Sequence, residues 1–152
     1  MVVGIGNEFR RDDGAGPYLI RAYKDVFEAA GADVVVEENE TLRLMQLWKE
    51  SRAAFLIDAV RSNDKPGTVY RFDALKEKIP EEWFSLSTHQ IGMTRLIELS
   101  RILKGLPEQL IIYGIAGKDF GFGRGISAVV RSAAQRVARR ISKDVERFCK
   151  GE

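Results

Sequence analysis

Three aspartates and one imidazole stand where this sequence could do chemistry: Asp12 and Asp13 in MVVGIGNEFRRDDGAG, Asp58 in AAFLIDAV, and His89, the only histidine, in STHQIG. An ionised carboxylate in an apolar strand is costly without a partner. Asp58 therefore reads in one of two ways. It caps backbone N–H groups of the next turn, or it is a ligand or acid/base group at a crevice. For Asp12 and Asp13 the plain reading is charge compensation at a helix N-terminus, worth about 0.3–1 kcal/mol, which suits one aspartate better than two. Adjacent carboxylates are tolerated more readily beside a cation. His89 is expected at a helix start, where the positive end of the dipole disfavours imidazolium. The neutral ring is the form that binds metal, although a lone histidine is often a plain core or surface residue. Two carboxylates and one neutral imidazole from three segments suit a divalent metal with open positions.

The elements that position these groups follow from the apolar pattern. Met1 to Val3 with Ile5 forms a very short strand, and Gly4-Ile5-Gly6-Asn7 a tight turn, where glycine permits positive φ. Pro17 suits a first helical turn, and the spacing of Leu19, Ile20, Tyr23, Val26 and Phe27 predicts a helix to Ala30, stopped by Gly31. A β-branched strand follows over 33–38. Thr41 caps a helix to about Arg52, with Leu42, Met45, Leu47 and Trp48 as its apolar positions. Ala53 to Val60 is the clearest buried strand, and 61–67 is turn chemistry. Thr68 to Phe72 alternates as a fourth strand. Ser87 or Thr88 caps a helix to about Lys104, and Leu110 to Ile115 is a central fifth strand. The Gly-rich loop GKDFGFGRG, with Phe120 and Phe122, leads to a long helix from about Ser127 to Phe148. Alternating strands and helices predict a three-layer α/β/α domain. Right-handed crossovers bring the carboxyl ends of the first and third strands together, where such sheets bind their ligands. The short turn after the third strand by itself predicts a simple hairpin with the fourth.

Composition narrows the function classes. Apolar content of 45% and charged content of 30% are those of an ordinary globular chain. Lys+Arg 24 against Asp+Glu 22 argues against nucleic acid as the main partner. No apolar run approaches the roughly 20 residues of a membrane span, and the opening lacks a signal-peptide pattern. A cytoplasmic setting is expected. The single cysteine, Cys149, excludes an internal disulfide framework and reads as structural or incidental. The basic residues of the last helix, from Arg131 to Lys150, read as a solvated face before they read as a footprint for an acidic partner.

Taken together, the segments resemble the hydrogenase maturation proteases. GIGNEFRRDDGAG looks like that family's opening glycine–asparagine and acidic motif, and LIDAVRSNDKPGT like its central strand, acid and Pro-Gly-Thr turn. STHQIG looks like its histidine motif, and YGIAG with the following loop like its closing portion. Four ordered matches cover nearly the whole chain, as one domain over 1–152. The resemblance implies a mixed five-stranded sheet of order 2-1-3-5-4 with strand four antiparallel, a phosphorylase/hydrolase-like fold. It inserts strand five between strands three and four.

It also implies an endopeptidase that removes a C-terminal extension from the large-subunit precursor of nickel–iron hydrogenase after nickel insertion. Asp13, Asp58 and His89 would be both metal-binding and catalytic. Asn7 and Asp12 would shape the substrate-binding loop. The nickel is carried by the substrate, no organic cofactor is held tightly, and the enzyme is monomeric with neither nucleic acid nor membrane as a partner. Asp13 stands where several relatives have Glu, which shortens its reach. The first strand is short for the family, which implies frayed pairing. A proline often found within 125–128 is missing, which implies a looser start to the last helix.

Three other readings compete. Peptidyl-tRNA hydrolase shares a similar opening, but its catalytic histidine follows that motif closely, where this chain is acidic. A dinucleotide-binding domain would use Glu37 or Glu38 on the ribose, but Phe9 replaces the third glycine of the fingerprint. A non-catalytic chaperone for the nickel-loaded subunit would use the same three residues as the protease.

Overall fold

The computed structural model describes residues 1–38, 41–84 and 92–152. Among the described residues the elements are β1 (Val2–Ile5), α1 (Ala15–Ala29), β2 (Val34–Glu37), α2 (Thr41–Lys49), β3 (Ala53–Val60), β4 (Val69–Asp73), α3 (Met93–Ile102), β5 (Gln109–Ala116) and α4 (Ala128–Cys149), with 3-10 turns at Arg11–Gly14 and Glu81–Trp83. The sheet order is β2-β1-β3-β5-β4; β4 alone runs antiparallel, against β5. The order and direction implied by the family resemblance hold, and the simple β3–β4 hairpin does not. The segment after β3 crosses the end of β5, where Gly67 N–H donates to Ala116 O at 2.7 Å. The chain then returns along the far side of β5. The reason lies in the side chains. β5 is apolar throughout and needs partners on both edges, whereas the half-buried β4 suits an edge.

Side-chain alternation sorts the core into two layers. Phe55, Ile57 and Ala59 of β3 face α1 and α4 with Ile111, Tyr113 and Ile115 of β5. Ala54, Leu56 and Val60 face α2 and α3 with Leu110 and Ile112. Asp58 belongs by parity to the second layer. The carboxyl end of β3 on that side is covered by Phe84, which bridges Val60, while Arg61 N–H donates to Trp83 O at 2.8 Å.

Two expectations change. β1 is short but not frayed: all of Val2–Ile5 is buried, paired in parallel with β2 over its length and with β3 over Val2–Gly4. Its position between two strands compensates for its length. The helix expected from Ser87 or Thr88 begins at Met93, because Gly92 is extended at φ −75°, ψ 166°. Ser87, Thr88 and His89 lie outside the described residues. Lesser shifts start α1 at Ala15, so that Pro17 falls within its first turn, and end α2 at Lys49. Among the described residues no helix is long and apolar enough to cross a membrane.

Candidate active site at the carboxyl end of the sheet

The opening loop is built by steric necessity. Gly6 has φ +144°, and a Cβ there would lie 1.9 Å from Asp13 O. A Cβ on Gly16 would lie 2.4 Å from Ile5 O and 2.7 Å from Ile57 O, so α1 starts directly on the backbones of β1 and β3. These two glycines let the 3-10 turn carrying Asp12 and Asp13 pack against β3.

The two adjacent acids then diverge. Asp12 is wholly buried, and both its oxygens accept hydrogen bonds from the far loop. Oδ2 takes Lys118 N–H at 2.8 Å, Asp119 N–H at 3.1 Å and Ser127 Oγ at 3.0 Å, while Oδ1 takes Ser127 N–H at 2.6 Å. Ser127 is the N-cap of α4, so Asp12 caps that helix from across the molecule. The looser helix start expected from the missing proline is thereby offset. Asp12 is expected to shape the substrate-binding loop, and these four bonds tie that loop to the loop 117–126 and the start of α4.

Asp13 is 6% exposed, and its Oδ2 accepts Asn7 N–H at 2.8 Å. Asn7 Oδ1 accepts Phe9 N–H at 2.9 Å, closing a local turn. Asp58 is wholly buried on the central strand, opposite Gly114 of β5. A Cβ at Gly114 would lie 2.7 Å from Val60 Cγ2, so the missing side chain makes room for Val60 beside the Asp58 position. Two of the three expected metal-binding residues are therefore held at one end of the sheet by neighbouring elements. His89 lies outside the described residues. Among the described residues no group of three His, Cys, Asp or Glu side chains could hold a metal.

Glu37, considered above as a ribose ligand, is buried and ion-paired with Arg43 at 3.5 Å. Beside the opening loop lies a cavity of about 380 Å³, lined by Glu8, Arg11, Tyr18, Arg21 and Arg124; neither Asp13 nor Asp58 lines it. Glu8 and Arg21 form a two-bonded ion pair there, and the guanidinium holds the Glu8 carboxyl below its usual range.

A family model described as HycI, hydrogenase maturation protease, matches residues 39–144. The chain belongs to the hydrogenase maturation protease family. A family relative, the hydrogenase expression/formation protein HupD of Rhizobium leguminosarum bv. viciae, is 24% identical over 135 residues. That match takes in 86% of this chain and 66% of HupD, so the chain spans just under two thirds of that relative. The fold is shared with the family's solved structures. The maturation protease HycI of Thermococcus kodakarensis KOD1 superposes with a TM-score of 0.72 at 20% identity, over 96% of this chain and 90% of that one. The maturating endopeptidase HybD of E. coli gives 0.69 at 16% identity, over 92% and 87%.

The residues that sequence reasoning passed over are cations. Arg10, Arg61 and Arg124 each stack on a phenylalanine of this same end of the molecule. The interleaving of Phe and Arg in EFRR and DFGFGR was the available signal.

Proposed function

We propose that this chain is an endopeptidase that trims the C-terminal extension from the large-subunit precursor of a nickel–iron hydrogenase once nickel is in place. Family membership supports the class of substrate. The observation that carries the chemistry is Asp58, a carboxylate wholly buried at the carboxyl end of the central strand, with the Asp13 turn packed against that strand. Nickel belongs to the substrate in this reading. Asp13, Asp58 and His89 recognise it, and carboxylate with imidazole suits a divalent cation of that kind. Docking then sets the scissile bond in the crevice, where Asp13 or Asp58 takes the proton of the attacking water. The substrate's own metal becomes the checkpoint.

The test is incubation with nickel-loaded and nickel-free precursor, read by mass. Loss of a C-terminal peptide from the loaded form alone is expected. Tight binding without mass loss would establish the chaperone reading instead. Asp58→Asn keeps the shape and removes the charge, so cleavage should fall at least about a hundredfold while the unfolding midpoint holds. His89→Ala should abolish processing; normal cleavage by that variant would refute the assignment.

A further inference from the structure

The loop 5–14 and the loop 117–126 are zipped together. Arg11 N–H donates to Gly123 O at 2.9 Å, and Gly123 N–H donates to Phe9 O at 2.8 Å. Their outer edge interleaves rings and guanidinium groups. Arg10 lies 5.0 Å from the Phe122 centroid, Arg124 4.7 Å from Phe9, and Arg61 4.4 Å from Phe120. Phe122 is 83% exposed and Phe9 57%, which is unusual for rings held in place by backbone bonds.

The charges on this edge are not balanced internally. Arg21 pairs with Glu8, and Arg11 lies 3.5 Å from Asp119. Arg10, Arg61 and Arg124 have no carboxylate within ion-pair distance among the described residues, since each ion pair there involves other cations. Stacking uses the face of a guanidinium and leaves its in-plane N–H fork open, the geometry that binds a carboxylate bidentately. Among the described residues only the Nε of Arg10 is committed, to Phe120 O at 3.3 Å. Exposed aromatic and arginine side chains together are the composition of a protein-binding hot spot.

The edge also sits at the right end of the sheet. A Cβ on Gly117 would meet the Phe120 ring at 2.4 Å, and Gly117 N–H donates to Val60 O at 3.1 Å. The ridge therefore begins where β3 ends, next to the strand that carries Asp58.

We propose that this Phe–Arg ridge is the docking surface for an acidic segment of the polypeptide substrate, its carboxylates on Arg10, Arg61 and Arg124 and its apolar side chains on Phe9 and Phe122. The proposal rests on the protease reading above and adds the chemistry of the chain that the site accepts. Nucleic acid fits less well, because Glu8 and Asp119 interrupt the ridge and a phosphate backbone needs a longer basic track.

The test uses the full chain and a short fluorescein-labelled Glu-rich peptide, its Gln counterpart, and a labelled single-stranded oligonucleotide, followed by anisotropy. The Glu peptide should bind at least about tenfold more tightly than the Gln peptide and weaken with salt. A variant combining Arg10→Gln, Arg61→Gln and Arg124→Gln should erase that preference. Arg124→Gln alone, which leaves the Arg10–Phe122 and Arg61–Phe120 stacks in place, covers the case in which the triple variant unfolds, and should reduce the preference about threefold. Equal binding of both peptides, an unchanged preference in the variants, or tighter binding of the oligonucleotide through the same arginines would overturn the proposal. Cleavage of the nickel-loaded precursor separates the two readings. If the wild type does not cleave it but peptide discrimination holds, the protease reading falls and the ridge stands. If the variants cleave with unchanged KM and the peptides bind alike, the ridge falls and the protease reading stands.

Discussion

Asp12 and Asp144 are both sheltered carboxylates that accept several hydrogen bonds, yet they stabilise different things. Asp12 receives mostly backbone N–H donors, from residues 118, 119 and 127, and so fixes where a loop and a helix begin. Asp144 receives only side chains, all on Oδ2: the Tyr113 hydroxyl at 2.7 Å and Arg71 Nε and Nη2 each at 3.1 Å. It ties the C-terminal part of α4 to β4 and β5, on the layer opposite Asp58. A carboxylate satisfied by backbone determines the path of the chain. One satisfied by side chains joins elements whose paths are already set.

The largest expected effect is therefore at Asp12. Asp12→Ala leaves three partly buried N–H groups and a hydroxyl without their acceptor, which should cost about 3 kcal/mol in urea unfolding. Precursor cleavage should disappear with it, because the same loop carries the Phe–Arg ridge and abuts the Asp13 turn. Asp12→Asn presents an amide donor to donors already there and should recover less than half of the loss. A stable, active Asp12→Ala protein would break the comparison at its first member.

This asymmetry also marks what the sequence could show. The sheet order was legible once its motifs were matched to a family, and Ala53–Val60 announced itself by being apolar around a single aspartate. Local patterns alone pointed to a hairpin, because a seven-residue turn does not tell whether the chain pairs at once or crosses a neighbour first. The DD pair stood out in the sequence; that its two side chains turn to different partners did not. Asp12 reaches donors more than a hundred residues away, and no local pattern encodes such a bond. The start of α3 was missed for a related reason. Ser87 and Thr88 are good capping residues, but the extended Gly92 begins the helix later. The ridge was visible as phenylalanines in a Gly-rich loop, while its arginine partners come from two other segments.

A smaller effect is expected at Asp144. Asp144→Ala removes the shared acceptor, but Arg71 is partly exposed and water replaces part of what is lost. The cost should be about 1–3 kcal/mol. Cleavage by the folded fraction should be unchanged, since this cluster lies on the face of the sheet opposite Asp58. A fall in kcat at full folding would show that the two carboxylates are not separate in function.

The smallest effect is also the sharpest, because it has a pH signature. Burial, and then the neighbouring Asp144, pushes the Tyr113 hydroxyl from 10 up to about 12. The unfolded chain loses this proton near pH 10, while the folded chain keeps it until about pH 12. Between those values the folded state binds more protons, so stability is complete below pH 10 and declines as pH rises toward 12. Tyr113→Phe should cost about 1 kcal/mol below that window, as one neutral donor to a carboxylate is lost. It should also remove the decline due to this group. Tyr23 and Tyr70, likewise raised, titrate in both proteins and cancel when the two unfolding curves are subtracted. The difference curve should therefore narrow steadily through the window and favour the phenylalanine variant at its upper end. A flat difference would mean that the hydroxyl is neither buried nor held by Asp144 in solution. The clamp on α4 would then rest on Arg71 alone.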